Sequence, residues 1–189
     1  ALDRRQRQMC IRDRIIGDAV IRLSHRFDVP KALRDLPRLG VRWRLAEDLE
    51  DLEWLGDGPH ETYIDRGASG QMRIHRSTVT EQYVPYILPQ EHGNHTAVQW
   101  LACANAATQA SFHAARPIEA SASRYPQEQL LPAFHTYELS PTSSVYVCLD
   151  VMQRGVGGAS CGPDTLPQYQ IGHGAFDLTY DLLIKDRLT

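Results

Sequence analysis

Residues 19–29 read AVIRLSHRFDV. Ala19, Ile21, Leu23, Phe27 and Val29 fall on one side of this stretch, and Arg22, Ser24, Arg26 and Asp28 on the other. A period of two puts the first set on one face of a half-buried strand. The pattern recurs outward along the chain. Leu39, Val41, Trp43 and Leu45 alternate with Gly40, Arg42 and Arg44, and Phe176, Leu178, Tyr180 and Leu182 alternate with Asp177, Thr179 and Asp181. Residues 145–151 form a denser apolar run suited to a central strand, and shorter strands are predicted over 98–103 and 110–114. Turn formers separate these runs: Gly56-Asp57-Gly58-Pro59, Gly67-Ala68-Ser69-Gly70 and the glycine-rich stretch 155–162. One helix is predicted, with Pro126 at its first position, Glu128 in its first turn and Leu130 and Leu131 turned inward. The spacing allows a second short helix around 46–52. Many strands joined by long loops predict an all-β, antiparallel sandwich.

Composition narrows the function. The 189 residues suit one domain, and the net charge of −3 offers no basic face for nucleic acid. No apolar run approaches the ~20 residues of a membrane-spanning helix, so no membrane partner is expected. The four cysteines, Cys10, Cys103, Cys148 and Cys161, are far apart, as reduced thiols of a cytoplasmic protein would be.

Residues 1–14, ALDRRQRQMCIRDR, stand apart. They carry five arginines and two aspartates with no period of 2 or 3.6. A basic arm is one reading. The string RRQRQMCIRDR also resembles translated sequencing-adapter DNA, and the expectation is a foreign, disordered segment at 1–14 before a domain at 15–189. Its removal takes the net charge from −3 to −6.

Three stretches carry a family resemblance. They are Leu36-Pro37-Arg38-Leu39-Gly40; the run from Trp54 to Arg66, WLGDGPHETYIDR, continued by Tyr83-Val84-Pro85-Tyr86 and Pro89-Gln90-Glu91-His92-Gly93-Asn94; and QRGVGGASCGP at 153–163. In this order they resemble the small-chain region, the last sandwich, of bacterial glycoside hydrolase family 2 β-galactosidases. The resemblance implies a galactose-mutarotase-like (supersandwich) fold, here without its first strands. It also implies a catalytic barrel as neighbour, in the same enzyme or in a separate large subunit, and an oligomer acting on terminal β-galactosides such as lactose with retention. The two catalytic glutamates of such enzymes sit on the barrel, so no catalytic residue is expected in this chain. Magnesium and sodium are expected to bind through upstream domains and no cofactor through this chain.

The resemblance brings the 155–162 loop to the pocket, on the side of the leaving group or acceptor sugar. Cys161 stands where some members present a tryptophan. Cys161, Ser160, Gly158 and Gly162 are therefore the candidate substrate-binding residues. The competing reading is a tight inter-strand loop with a buried thiol. Glu91 and His92 are weaker candidates, because a free-standing carbohydrate-binding or mutarotase-like module needs a histidine and a carboxylate at one anomeric centre. Glu61, Asp65 and Glu91 are loop carboxylates better suited to holding turns than to acid–base work. His92, His95 and Cys103 have no matching second pair for a zinc site. Trp43, Trp54 and Trp100 would stack on sugars if exposed, but their strand positions predict core packing.

Overall fold

A computed structural model describes residues 8–15, 20–33, 35–158 and 161–188. The alternating stretch at the start of the domain is a strand whose apolar face meets the core. Among the described residues nine strands form: β1 (Gln8–Ile15), β2 (Val20–Val29), β3 (Arg38–Leu45), β4 (Asp51–Gly56), β5 (Arg73–Thr78), β6 (His95–Ala104), β7 (Thr108–Ser123), β8 (Val145–Gln153) and β9 (Gly174–Asp186), with one α-helical turn, α1 (Gln127–Leu130), and three short 3-10 turns. Every pairing is antiparallel. The order β1-β2-β9-β7-β6-β4-β5 makes one sheet, and β3-β8 branches from β7.

The branch is what makes a sandwich. β7 pairs with β9 through Ala114, then with β8 from Glu119. Pro117, which has no N–H to give a ladder, falls in the gap between the two partners. Leaving β9, β7 carries β8 and β3 over the main sheet. The facing side chains form one core: Leu23 and Phe27 of β2, Trp54 of β4, Leu101 of β6, Phe112 of β7, Val147 and Leu149 of β8, Leu178 and Tyr180 of β9. Trp43 of β3 closes the layer; it donates its indole N–H to Tyr180 Oη at 2.8 Å and packs on Phe112.

The alternation in β2, β3 and β9 is as read: Leu23, Phe27 and Val29 are buried, as are Leu178, Tyr180 and Leu182, while Leu39, Val41, Trp43 and Leu45 pack partly buried against them. Two apolar members, Ile21 and Phe176, sit nearer the surface. Two of the tryptophans follow core packing, Trp54 fully buried and Trp43 half-buried against the core; Trp100 does not, because its neighbour Leu101 takes the inward side and Trp100 stacks half-buried on His113 across the other face.

Two further expectations need correction. No helix forms over 46–52; a turn closed by Leu49 N–H to Ala46 O leads directly into β4. Leu49 and Leu52 suggested a helical face because both reach the core, but they arrive there from a turn and a strand. At α1 Leu130 is buried and Leu131 is 90% exposed, since a single turn has only one inward side. Of the segment 1–14 expected to be foreign and disordered, residues 1–7 lie outside the described residues and the remainder falls in a strand. Gln8–Ile15 pairs residue by residue with Asp28 through Ile21, held by backbone bonds that need no side-chain periodicity.

Candidate functional site

The tryptophan-to-arginine motif builds a rigid shelf. Trp54 donates to Asp57 O at 3.0 Å, and Asp57 N–H donates to Thr96 O at 2.9 Å. Tyr63 and Arg66 exchange backbone hydrogen bonds of 3.1 and 2.8 Å, closing a tight turn with Ile64 and Asp65 at its tip. Glu61 fixes that turn from inside, accepting from Tyr63 Oη at 3.2 Å, from Gly93 N–H at 2.9 Å, and from Arg66 and Tyr86. A carboxylate so fully engaged holds structure rather than moving protons. Burial and the adjacent Glu61 charge push the Tyr63 phenol well above its usual range, so it stays a donor.

Asp65 points the other way, to the glycine-rich loop. Its carboxylate accepts Val156 N–H at 3.0 Å and Gly157 N–H at 2.8 Å. Gly157 has φ +60, and a Cβ there would lie 2.6 Å from Thr165 Oγ1. Arg154 secures the base, with its guanidinium on Asp35, on Asp164 at 2.6 Å and on Thr165 Oγ1 at 2.7 Å. Beyond this base the loop closes on itself through Gly158 N–H to Pro163 O and Cys161 N–H to Gly158 O.

Of the predicted loop residues, Cys161 and Gly162 are exposed and Gly158 is half-buried; Ser160 lies outside the described residues. The thiol expected to be buried if this were merely a tight connection is thus at the surface. Among the described residues the tip offers backbone and the Cys161 thiol. Sequence reading passed over Arg154 and Thr165, although a long cation directly before a glycine run is a signal for a loop anchored at its base.

Glu91 and His92 lie elsewhere, above the outer face of β7, β8 and β3. Arg38 is held by Asp150, through Nε at 3.3 Å and through Nη2, and by Glu91. Glu119, opposite Asp150 across the ladder, accepts from Asn94 Nδ2 at 2.6 Å and from Gln153 N–H at 3.0 Å. Burial raises the pKa of all three carboxyl groups, that of Glu119 to about 7. His92 donates Nδ1–H to Gln90 O at 3.1 Å and has Nε2 at 3.2 Å from Ser123 Oγ; burial pushes its pKa down and keeps it neutral. Glu91 and His92 do line one cavity, but it has room of about 10 Å³, that of a single water. An open groove of about 190 Å³ beside it is lined by Arg38, Arg42, Gln127, Cys148 and Asp150.

The zinc reading is not assembled. His92 faces Ser123, His95 bonds Gln82 Oε1 at 2.9 Å and stacks on Trp54, and Cys103 is fully buried in the core. Among the described residues no three His, Cys, Asp or Glu side chains converge as metal ligands would.

Residues 5–184 match the β-galactosidase small-chain family. The chain belongs to that family. Among β-galactosidases it is similar to that of Actinobacillus pleuropneumoniae, 32% identical over 173 residues covering 92% of this chain and 17% of the relative. Similar relatives are those of Priestia megaterium, 30% identical over 83% of this chain and 15% of the relative, and of Kluyveromyces lactis, 32% identical over 80% and 15%. The chain thus spans about a sixth of the length of these β-galactosidases. As a β-galactosidase small chain it presents strands and turns; among the described residues no helix is long and apolar enough to cross a membrane.

Proposed function

We propose that this chain is a non-catalytic part of a β-galactosidase that hydrolyses terminal β-D-galactosides such as lactose with retention. Its role is to supply the 155–162 loop as the wall of the active site on the leaving-group and acceptor side, and a surface for assembly with the catalytic barrel. The observation that carries this reading is the loop itself: an exposed tip, at Cys161 and Gly162, on a base fixed by Arg154 and Asp65. Such a design suits a backbone surface that must meet a sugar in a fixed place. Family membership and the relatives' names support the enzyme to which it belongs.

Retaining hydrolysis takes two carboxyl groups about 5–5.5 Å apart, one as nucleophile and one as acid–base. In this chain the buried carboxylates are committed: Glu61 to a turn, Glu91 and Asp150 to Arg38, Glu119 to Asn94 and a backbone amide. Their engagement supports a reading in which the catalytic pair, and the magnesium and sodium such an enzyme uses, are supplied by the barrel. A cytoplasmic, oligomeric enzyme completes the proposal.

The test is complementation. The purified chain is assayed on an aryl galactoside alone, and then mixed with a β-galactosidase lacking its own small-chain region. The expected result is turnover by the mixture and none by either component. Robust turnover by the chain alone would overturn the reading.

A further inference from the structure

Asp57, Glu61 and Arg66 of the WLGDGPHETYIDR motif are engaged near the motif itself, Asp57 by accepting from Thr96 Oγ1 at 2.7 Å. Glu61 and Arg66 bond each other and Tyr86 and stay within the shelf. Asp65 leaves it. Its two carboxylate oxygens reach across more than ninety residues of sequence and each takes one consecutive loop amide, Oδ1 that of Val156 and Oδ2 that of Gly157. The loop backbone is shaped around this carboxylate: a Cβ on Gly155 would lie 2.6 Å from Asp65 Cγ. Only an acceptor-only group with two equivalent oxygens can satisfy two parallel N–H donors in this way.

We infer that Asp65 is a positioning residue for acceptor discrimination: it sets where Gly157, Gly158 and Cys161 stand and so where the sugar on the acceptor side is held. This rests on the loop-as-wall reading above. Arg154 holds the loop at its base and the Gly158–Pro163 bond closes its tip. Between them the backbone turns at Gly157, φ +60, and this corner is the point that Asp65 grips. A loop pinned at its corner moves as a unit with the shelf. Released there, its tip would swing on the Arg154 base, and Cys161 with it. Glu61 ties the same shelf to Gly93, so the position of the loop is referred to β6 and the core rather than to solvent.

The experiment uses the full-length enzyme that carries this chain, with Asp65→Ala, Asp65→Asn and Gly155→Ala. Asn keeps one acceptor oxygen; the alanine at 155 pushes the carboxylate from the corner without touching it chemically. Two readouts are taken: hydrogen exchange at the Val156 and Gly157 amides, and the partition of an aryl galactoside between water and added glucose. Asp65→Ala should exchange those amides at least about tenfold faster and lower transfer to glucose about tenfold, while Arg76→Ala, which breaks only an exposed pair with Glu53, should leave both as in the parent. Gly155→Ala should do the same as Asp65→Ala, and Asp65→Asn should fall between. Unchanged exchange in Asp65→Asn and Gly155→Ala overturns the inference, even if Asp65→Ala fails to fold. Faster exchange with an unchanged partition would leave Asp65 as the anchor of the loop while removing the loop from the acceptor site, and so would strike the function reading instead.

Discussion

Glu119 on β7 and Asp150 on β8 are direct antiparallel partners, two buried carboxyl groups side by side with Arg38 reaching the second of them. Their neighbour Glu91 shares the same guanidinium. Three acids around one cation form a buried polar layer between the sandwich and the segment that covers it, and its energetics can be measured.

Protonation of Glu119 should make stability depend on pH. Burial raises its folded-state pKa to about 7 from an unfolded value near 4.5. The folded chain then binds the proton more tightly, so this contribution is fully present below pH 4.5 and is lost as pH rises through about 7. It amounts to at most about 3 kcal/mol. Glu119→Gln should flatten the urea-unfolding stability of the chain between pH 5 and 8. It should also cost about 1–3 kcal/mol at pH 5, because an amide N–H₂ must face either Asn94 Nδ2 or the Gln153 amide. A slope unchanged by the substitution would locate the linkage at Asp150 or Glu91.

Removing Arg38 should be more damaging than removing any exposed arginine. Asp150 has a side chain only 2% exposed, and Arg38→Met leaves it a buried charge without its cation. A loss of about 3–5 kcal/mol is expected in thermal or urea unfolding. Arg38→Lys should rescue little, since one ammonium cannot span both Asp150 oxygens and Glu91. Arg76→Ala, which breaks an exposed pair with Glu53, serves as the control and should change stability by under about 1 kcal/mol.

Trp54 anchors the shelf to the core. It is fully buried, with His75 and His95 both stacked on it at 5.0 and 4.1 Å between ring centroids. Trp54→Ala should cost about 3–5 kcal/mol. Trp54→Phe should lose less, giving up the indole bond to Asp57 O and part of the stack. Both are read by chemical unfolding, and an Ala variant of near-parental stability would show that the layer repacks.

Cys161→Trp, in the full-length enzyme, should raise transfer to glucose about fivefold by giving the exposed tip an aromatic face. Hydrolysis of an aryl galactoside measured in parallel reports whether the donor side is untouched. An unchanged glucose partition would mean that position 161 does not meet the acceptor.

Much of this molecule is legible along the chain. Alternation in β2, β3 and β9 identifies the strands and their inner faces, because a half-buried strand must put every second side chain in the core. The motifs with their order carry the family, since WLGDGPHETYIDR is long and its residues serve one tightly bonded turn. β4 and β5 were not legible: Leu49 and Leu52 fit a helical spacing as well as they fit a turn and a strand, and Ile74 in β5 is exposed. The 8–15 strand was hidden for a different reason, as backbone pairing on β2 leaves no signature in side-chain type.

What only the tertiary structure decided is which distant residues share a bond. The sequence by itself determined that Asp65 sits at a turn and that 155–162 is a flexible-looking glycine run. It carried no sign that the two meet, because a hydrogen bond between residues ninety apart depends on how β7 crosses from one sheet to the other, and that crossing is set by the packing of the whole core. The same holds for Glu91 and His92, neighbours in sequence whose side chains serve different partners, Arg38 and Ser123, once the segment is laid across the sandwich.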